Sequence, residues 1–353
     1  MNNGMALSRV ERGLLVIALV FIIIIAMKTV SFIVTLFLMA IILTMLMLPA
    51  MQWLRKKGLS DFLAVLVITI VAILIVLGFI FFTMLSFNSL VADLPQYQSE
   101  LDTRLQDITA LLSSYGITVT TEGASSIQIG DIIGFGVSGI VSAAEAVEFI
   151  FFVGVTTFFM LLEVPHLASR MENWIGRDSE AVRQMNLMTG YVIDFIVVRT
   201  ETNFIHGILF GGFLGIMGVH GAILWGVLTF LLGYIPYFGL IIAAIPAVFF
   251  AWLQYGIPGA IGVIAAVAVL NLFVENPIYS FLAARKFEMP ALIVIISVIF
   301  WGWLLGLVGM LFSIPFTLLL LLVFELVDEL RWINVALGVN HLFEDKRHSE
   351  TKS

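Results

Sequence analysis

In a chain of 353 residues that is 61% hydrophobic and 12% charged, Asn271, Glu275 and Asn276 close an apolar run, with Pro277 directly behind them. Two amides and a carboxylate at membrane depth are the residue types that bind a cation, hold a proton or coordinate a polar solute. A charged carboxylate in hydrocarbon is costly unless paired, protonated or bound to a cation, which makes Glu275 the first candidate for a proton or sodium site. The plainer alternative is a wetted helix mouth, or pairing with Arg285. Asn271 and Glu275 are four apart and share a helix face, so a solute can meet an amide and a carboxylate together. Tyr234, Tyr237, Trp301 and Trp303 offer apolar walls with a polar handle, although aromatics at span ends more often anchor in the interface. Asp194, Arg199 and Glu201 stand among apolar neighbours. Charges near a helix start usually face the headgroups, and of the three Arg199 is carried as a binding candidate.

Other chemistries find no residues to perform them. There is no cysteine, hence no thiolate nucleophile and no thiolate metal site. None of the five histidines has a partner at metal-ligand spacing. No phosphate-binding Gly-x-x-x-x-Gly-Lys loop and no Gly-x-Ser-x-Gly elbow occurs. The net charge of −7 is spread over loops and tail without a basic run, which argues against nucleic acid as a partner. The expectation is no enzyme, no cofactor and no metal.

The elements that must position the candidates are membrane helices. A soluble chain is roughly 25% charged, and the runs 14–27, 29–49, 62–87, 133–162 and 305–327 are mostly near the ~20 residues a helix needs to cross the bilayer. Outer-membrane strands would instead show alternating segments of about ten residues. Arg9 and Arg12 before the first run resemble a signal peptide, but the second run at 29–49 and the basic loop after it fit a retained helix pair better. From 221 onward the apolar pieces shorten to 221–235, 237–255, 257–274, 291–303 and 305–327. Proline inside a helix removes a donor and disrupts the preceding turn, at about 3 kcal/mol. Pro236, Gly239 and Pro246, with Pro315 in a second Ile-Pro segment at 309–319, therefore predict broken or re-entrant helices. Irregular backbone at membrane depth persists only where protein or a watery cavity covers it. Gly207, Gly211 and Gly215 recur every fourth residue, a spacing that lets two membrane helices approach closely.

Basic residues set the orientation. Arg9, Arg12, Arg55, Lys56, Lys57, Arg170, Arg177 and Arg183 mark cytoplasmic segments, while between Phe87 and Ile132 the only basic residue is Arg104. That insertion is predicted to lie outside. In it Leu94, Leu101, Ile108 and Tyr115 recur every seventh residue, with Tyr97, Leu105 and Leu111 on the same face, either packed on the protein itself or forming an oligomer contact. The expected fold class is all-α: a polytopic helical membrane protein of about eight membrane segments, some broken or re-entrant, with a small outer helical insertion. Its parts are N-terminal transmembrane helices (1–86), the insertion (87–132), a long transmembrane helix with a cytoplasmic basic loop (133–186), a transport core (187–330) and a cytoplasmic tail (331–353).

These residues resemble a known family, the prokaryotic transporters named after autoinducer-2 export. The likeness runs through LPQYQSEL at 94–101, FFMLLEVPHL at 158–167, the stretch from 224 to 247 and ISVIFWGWLLGLVGMLFSIPFTLL at 296–319. Pro236, Gly239, Pro246, Gly302, Trp303, Gly306, Gly309 and Pro315 sit where the family places its own, and Arg199 and Thr200 fall on its basic and small hydroxyl positions. The resemblance implies an exporter of a small polar signal molecule, or in other members an exchanger of sodium or lithium for protons. It also implies a homo-oligomer, a pentamer, in the inner membrane with both termini cytoplasmic. A departure falls beside the candidate site: many members carry Pro and Gly where this chain has Ser280 and Ala284, and this chain carries Pro277 instead. The reading is a secondary transporter driven by an ion gradient. The alternatives are a sodium(lithium)/proton antiporter using Glu275 and a non-transporting membrane scaffold. The partners are lipid, a small polar solute and a proton or sodium as coupling ion.

Overall fold

The computed structural model describes residues 8–92, 94–115, 129–176, 179–274 and 289–343. Helices α1 (Arg9–Thr29), α2 (Ser31–Lys56), α3 (Asp61–Ala92), α4 (Leu94–Ser114) and α5 (Ile129–Ile175) form the N-terminal half. The second half contains α6 (Glu180–Met217), α7 (Ala222–Leu232), α8 (Gly239–Phe273), α9 (Ala291–Leu311), α10 (Ser313–Leu326) and the short α11 (Arg331–Ala336). No strand occurs among the described residues. Among the described residues six helices are long and apolar enough, by length and composition, to cross a membrane, and α7 and α10 are shorter apolar helices. The all-α polytopic class expected from composition is the class observed.

Local chemistry explains the helix ends. Ser8 caps α1 in a reciprocal box with Glu11, the Ser8 hydroxyl accepting from the Glu11 amide at 3.2 Å and the Ser8 amide donating to the Glu11 carboxylate at 2.7 Å. Ser179 caps α6, which ends at Gly218 with φ 72°, a left-handed cap that suits glycine. Helices α2, α3 and α5 pack together around Met51, Ala64, Val65 and Leu161, with Phe32 against Phe149 and Phe62 against Phe158. Most apolar side chains of α1 are exposed and would face lipid.

Lipid tails are as apolar as leucine, so association within the bilayer rests on close packing and hydrogen bonds rather than on release of water. The α6–α7 pair shows this. A Cβ placed on Gly207 would lie 2.7 Å from the Gly226 carbonyl oxygen, and one on Gly211 would lie 3.2 Å from Gly226 Cα. The third glycine of the spaced set, Gly215, has nothing within 4 Å and takes no part. With 11 residues, α7 covers about 16 Å, half the hydrocarbon thickness. It ends at the irregular stretch 233–238, after which α8 begins.

Two of the six long helices are not continuous rods. Gly256 in α8 (φ 69°, ψ −157°) and Gly306 in α9 (φ 70°, ψ −149°) reverse the chain. A Cβ on Gly259 would lie 2.5 Å from the Ala251 oxygen, eight residues back and about 12 Å away in a straight helix. These reversals correct the expected role of two prolines. Pro246 lies inside the regular helix that precedes Gly256, which loses one hydrogen bond there without breaking. Pro315 lies in the first turn of α10, where the absent N–H would have had no helical partner, so it starts a helix rather than ending one. Pro236 does lie in a break, between α7 and α8.

The tip of the α8 hairpin is tied to the α6–α7 turn. Gln254 accepts from the His220 amide at 2.9 Å and donates to the Gly218 oxygen at 3.1 Å, and the Tyr255 hydroxyl donates to Met217 at 2.6 Å. The insertion helix α4 packs here as well. Among the described residues its heptad face is buried at Tyr97 and Leu101, Tyr97 with its ring 5.0 Å from that of Phe250, and exposed at Ile108, Leu111 and Tyr115.

The glycine contacts predict opposite outcomes for two substitutions on α6. Gly207→Ala forces α7 outward and lowers stability by about 1–3 kcal/mol, the cost of overpacking. Gly215→Ala meets open space and is neutral or slightly stabilising. Thermal unfolding of the detergent-solubilised variants measures both.

Candidate transport site

Helix α6 carries the polar side of the site. Arg199 is 6% exposed, Asn203 1% and His206 3%, at spacings that place them along one helix face, with Thr202 buried beside them. Arg199, Asp194 and Glu201 were expected near a helix start. The helix begins at Glu180 instead, so Arg199 lies well inside it and is buried, Asp194 is half-buried and Glu201 is exposed. The Thr200 hydroxyl donates to the Ile196 carbonyl at 2.6 Å. Its single proton is thereby used, so the Tyr234 hydroxyl, 2.6 Å away, donates to Thr200. Arg199 lies near enough for its charge to act on the Tyr234 phenol.

Tyr234 belongs to the break between α7 and α8, whose geometry depends on two close approaches. A Cβ on Gly233 would lie 2.5 Å from Asn203 Oδ1, and one on Gly239 only 1.8 Å from the Leu232 oxygen. Neither position accepts a side chain. Within the break the Phe238 amide donates to Pro236 at 2.8 Å and the Gly239 amide to Ile235 at 3.0 Å, so part of the freed backbone is satisfied internally. Tyr237 has φ 64°, a left-handed conformation that a residue with a Cβ adopts at a cost of about 1–2 kcal/mol. Its side chain is 58% exposed.

A second discontinuity meets the first. Phe312, at the α9–α10 junction (φ −106°, ψ 21°), stacks on Tyr234 with ring centroids 6.4 Å apart and planes 21° apart. Ser313 follows it, fully buried. Among the described residues, Ser313 Oγ, Thr202 Oγ1 and Asn203 Nδ2 are buried polar atoms without a hydrogen-bond partner. Each such atom costs about 1–3 kcal/mol. Thr202 and Asn203 lie on α6 within a turn of the buried Arg199, and Ser313 follows Phe312 at the junction that stacks on Tyr234. Such donors and acceptors can hold a hydroxyl-rich or carbonyl-bearing molecule through hydrogen bonds.

Of the residues singled out in the sequence, the structure brings together Arg199, Thr200 and Tyr234. Tyr237 sits at the exposed corner of the break. Trp303 is 53% exposed at the α9 tip, and Trp301 is buried, its indole N–H donating to Thr317 at 2.9 Å. Asn271 is exposed near the end of α8. Glu275, Asn276 and Pro277 lie outside the described residues. Thr202, Asn203 and Ser313 escaped the sequence reading. The four-residue step from Arg199 to Asn203 was the available signal, since it repeats a polar side chain on one face of an apolar helix.

Long apolar helices, two of them doubled back at Gly256 and Gly306, define a multi-pass helical membrane protein, and comparison with known proteins places it among transporters. The AI-2E family transporter profile matches residues 14–329. The chain is similar to the AI-2 transport protein TqsA of Escherichia coli K12, 32% identical over 92% of each chain. It is also similar to a putative transport protein of Haemophilus influenzae, 31% identical over 92% of this chain and 94% of the relative. A third relative, the putative transport protein YhhT of Escherichia coli K12, is 25% identical over 79% of this chain and 80% of its own length. The chain belongs to the AI-2E transporter family.

The strained corner separates stability from activity. Tyr237→Gly relieves the left-handed conformation and raises stability by about 1 kcal/mol. If the exposed ring contributes to solute passage, flux falls in the same variant. Thermal unfolding and vesicle flux on one preparation measure the two effects separately.

Proposed function

We propose that this chain is a secondary active transporter that exports a small polar signal molecule of the autoinducer-2 type, driven by an ion gradient. It works in the inner membrane of a prokaryote as a homo-oligomer, a pentamer by family likeness, with both termini cytoplasmic. The observation that carries this reading is the set of buried, unpartnered neutral polar atoms on Thr202, Asn203 and Ser313 next to the Tyr234–Phe312 stack. A small polyol-like solute exchanges its water for such groups without needing a dedicated charge. Pro236 and Gly239 shape the path by interrupting the helix at that depth. Tyr234, Arg199 and Asn203 hold the solute, with Thr200 orienting the tyrosine. The name of TqsA supports the solute class, while the other two relatives are named only as putative transport proteins.

The antiport alternative assigns titration to Glu275. In the scaffold alternative, no solute would cross under any gradient.

Proteoliposomes under imposed ion gradients distinguish the three. Autoinducer-2 flux is expected to fall at least about tenfold in Asn203→Leu, the factor given by losing about 1.4 kcal/mol, and to persist in Glu275→Gln. Sodium-driven proton movement that disappears in Glu275→Gln, with no autoinducer-2 flux in the parent, would replace the export reading with antiport.

A further inference from the structure

The α8 and α9 hairpins match each other at a constant offset of fifty residues. Gly256 and Gly306 reverse the chain with φ 69° and 70° and ψ −157° and −149°, a region open essentially to glycine alone. Three residues on, Gly259 and Gly309 make the same close approach. A Cβ on Gly259 would lie 2.5 Å from the Ala251 oxygen and 2.6 Å from Tyr255 Cβ, and one on Gly309 would lie 2.0 Å from the Trp301 oxygen and 2.9 Å from Leu305 Cβ. Leading into the turns, Ile245, Val248 and Phe250 have Ile295, Val298 and Phe300 as counterparts, and the small buried Ala247 has Ser297.

A helix that stops before a reversal leaves its last carbonyls without partners, at the negative end of its dipole. In the α8 hairpin those of Leu253 and Gln254 accept from Arg104 of α4, through Nε and one terminal nitrogen, each at 2.9 Å. In the α9 hairpin those of Trp303 and Leu304 accept from Lys28, the Leu304 bond being 3.3 Å. Leu253 and Trp303 are fifty residues apart, as are Gln254 and Leu304. The same two carbonyls of each hairpin are thus held by one cation from the N-terminal half. Lys28 also lies 5.6 Å from the centroid of the Trp303 ring, and a terminal nitrogen of Arg104 is 3.2 Å from Asp107. By charge distribution, Lys28 between the first two spans and Arg104 on the insertion lie on the same, outer side.

We propose that the two hairpins are copies of one structural unit and that Arg104 and Lys28 are equivalent positioning residues, each fixing its hairpin tip to the N-terminal half. The chain before the first tip starts at the 233–238 break, and the chain after the second runs into Phe312 and Ser313. Holding the tips therefore holds both walls of the polar cluster. The insertion gains a role inside the chain as the clamp of the first hairpin. The link to the polar cluster rests on the transport reading, whereas the clamping itself does not.

Hydrogen exchange of the full-length protein in lipid nanodiscs tests the clamps without any solute, so the result stands apart from the identity of the cargo. In Arg104→Gln, amides near 253–259 are expected to exchange at least about tenfold faster, with 303–309 unchanged. Lys28→Gln should show the reverse pattern. Arg104→Lys and Lys28→Arg, which keep a charged donor, should recover most of the protection. Parent-like exchange at both tips in both glutamine variants overturns the proposal. So does faster exchange spread equally over both hairpins in each variant, which would mean general loosening rather than separate clamps.

Discussion

Hydrocarbon offers no water to a backbone N–H or C=O that loses its helical partner, and this constraint governs the whole second half of the chain. Every interruption must be satisfied from within the protein or by something that enters it. The 233–238 break answers partly by itself, through the turn bonds to Ile235 and Pro236, and partly through tight seating on α6 and α7. The reversals at Gly256 and Gly306 answer with cations drawn from distant elements. Among the described residues, buried side-chain atoms without a hydrogen-bond partner include those of Thr202 and Asn203 on α6 and of Ser313 at the α9–α10 junction.

Packing explains how the first break comes to lie against α6. Gly207, Gly211 and Gly226 bring α7 against α6 at backbone contact distance. Because α7 is only half a span long, this contact brings its C-terminal end beside Asn203, part-way along α6. The stack of Tyr234 on Phe312 then joins the first break to the second. The chemistry is thus a consequence of helix length and of glycine at a few positions, rather than of a cluster of catalytic side chains.

The class of fold and most helix limits were legible because they follow from composition and apolar run length; 221–235, 237–255 and 257–274 anticipate α7 and the two arms of α8 closely. The nature of the interruptions was less legible. Proline announces itself, yet Pro246 and Pro315 are accommodated within helices, one at the loss of a single bond and the other at a position that needs none. Gly256 and Gly306 do the reversing, and one glycine in an apolar run carries no local mark of a positive φ. The sequence places Arg199, a binding candidate, near a helix start, because the true start of α6 lies in a polar segment that hydropathy ignores. Asn203 and Ser313 were missed because their significance comes from what faces them across the fold. The clamps by Arg104 and Lys28 join residues roughly 150 and 275 positions apart, beyond the reach of any pattern within a segment.

The central claim is that the meeting point of the two breaks is reached by water and solute. With no native cysteine in the chain, Ser313→Cys places a single thiol of nearly the same size at that point. Labelling by a small water-soluble thiol reagent in proteoliposomes, with and without autoinducer-2, measures access directly. The account predicts modification of Cys at 313 at a measurable rate, slowed when solute is present. A thiol that stays inert, while a single cysteine introduced at an exposed loop position of the otherwise cysteine-free chain labels normally, would mean that the junction is sealed in apolar packing and that the interrupted helices serve only the fold.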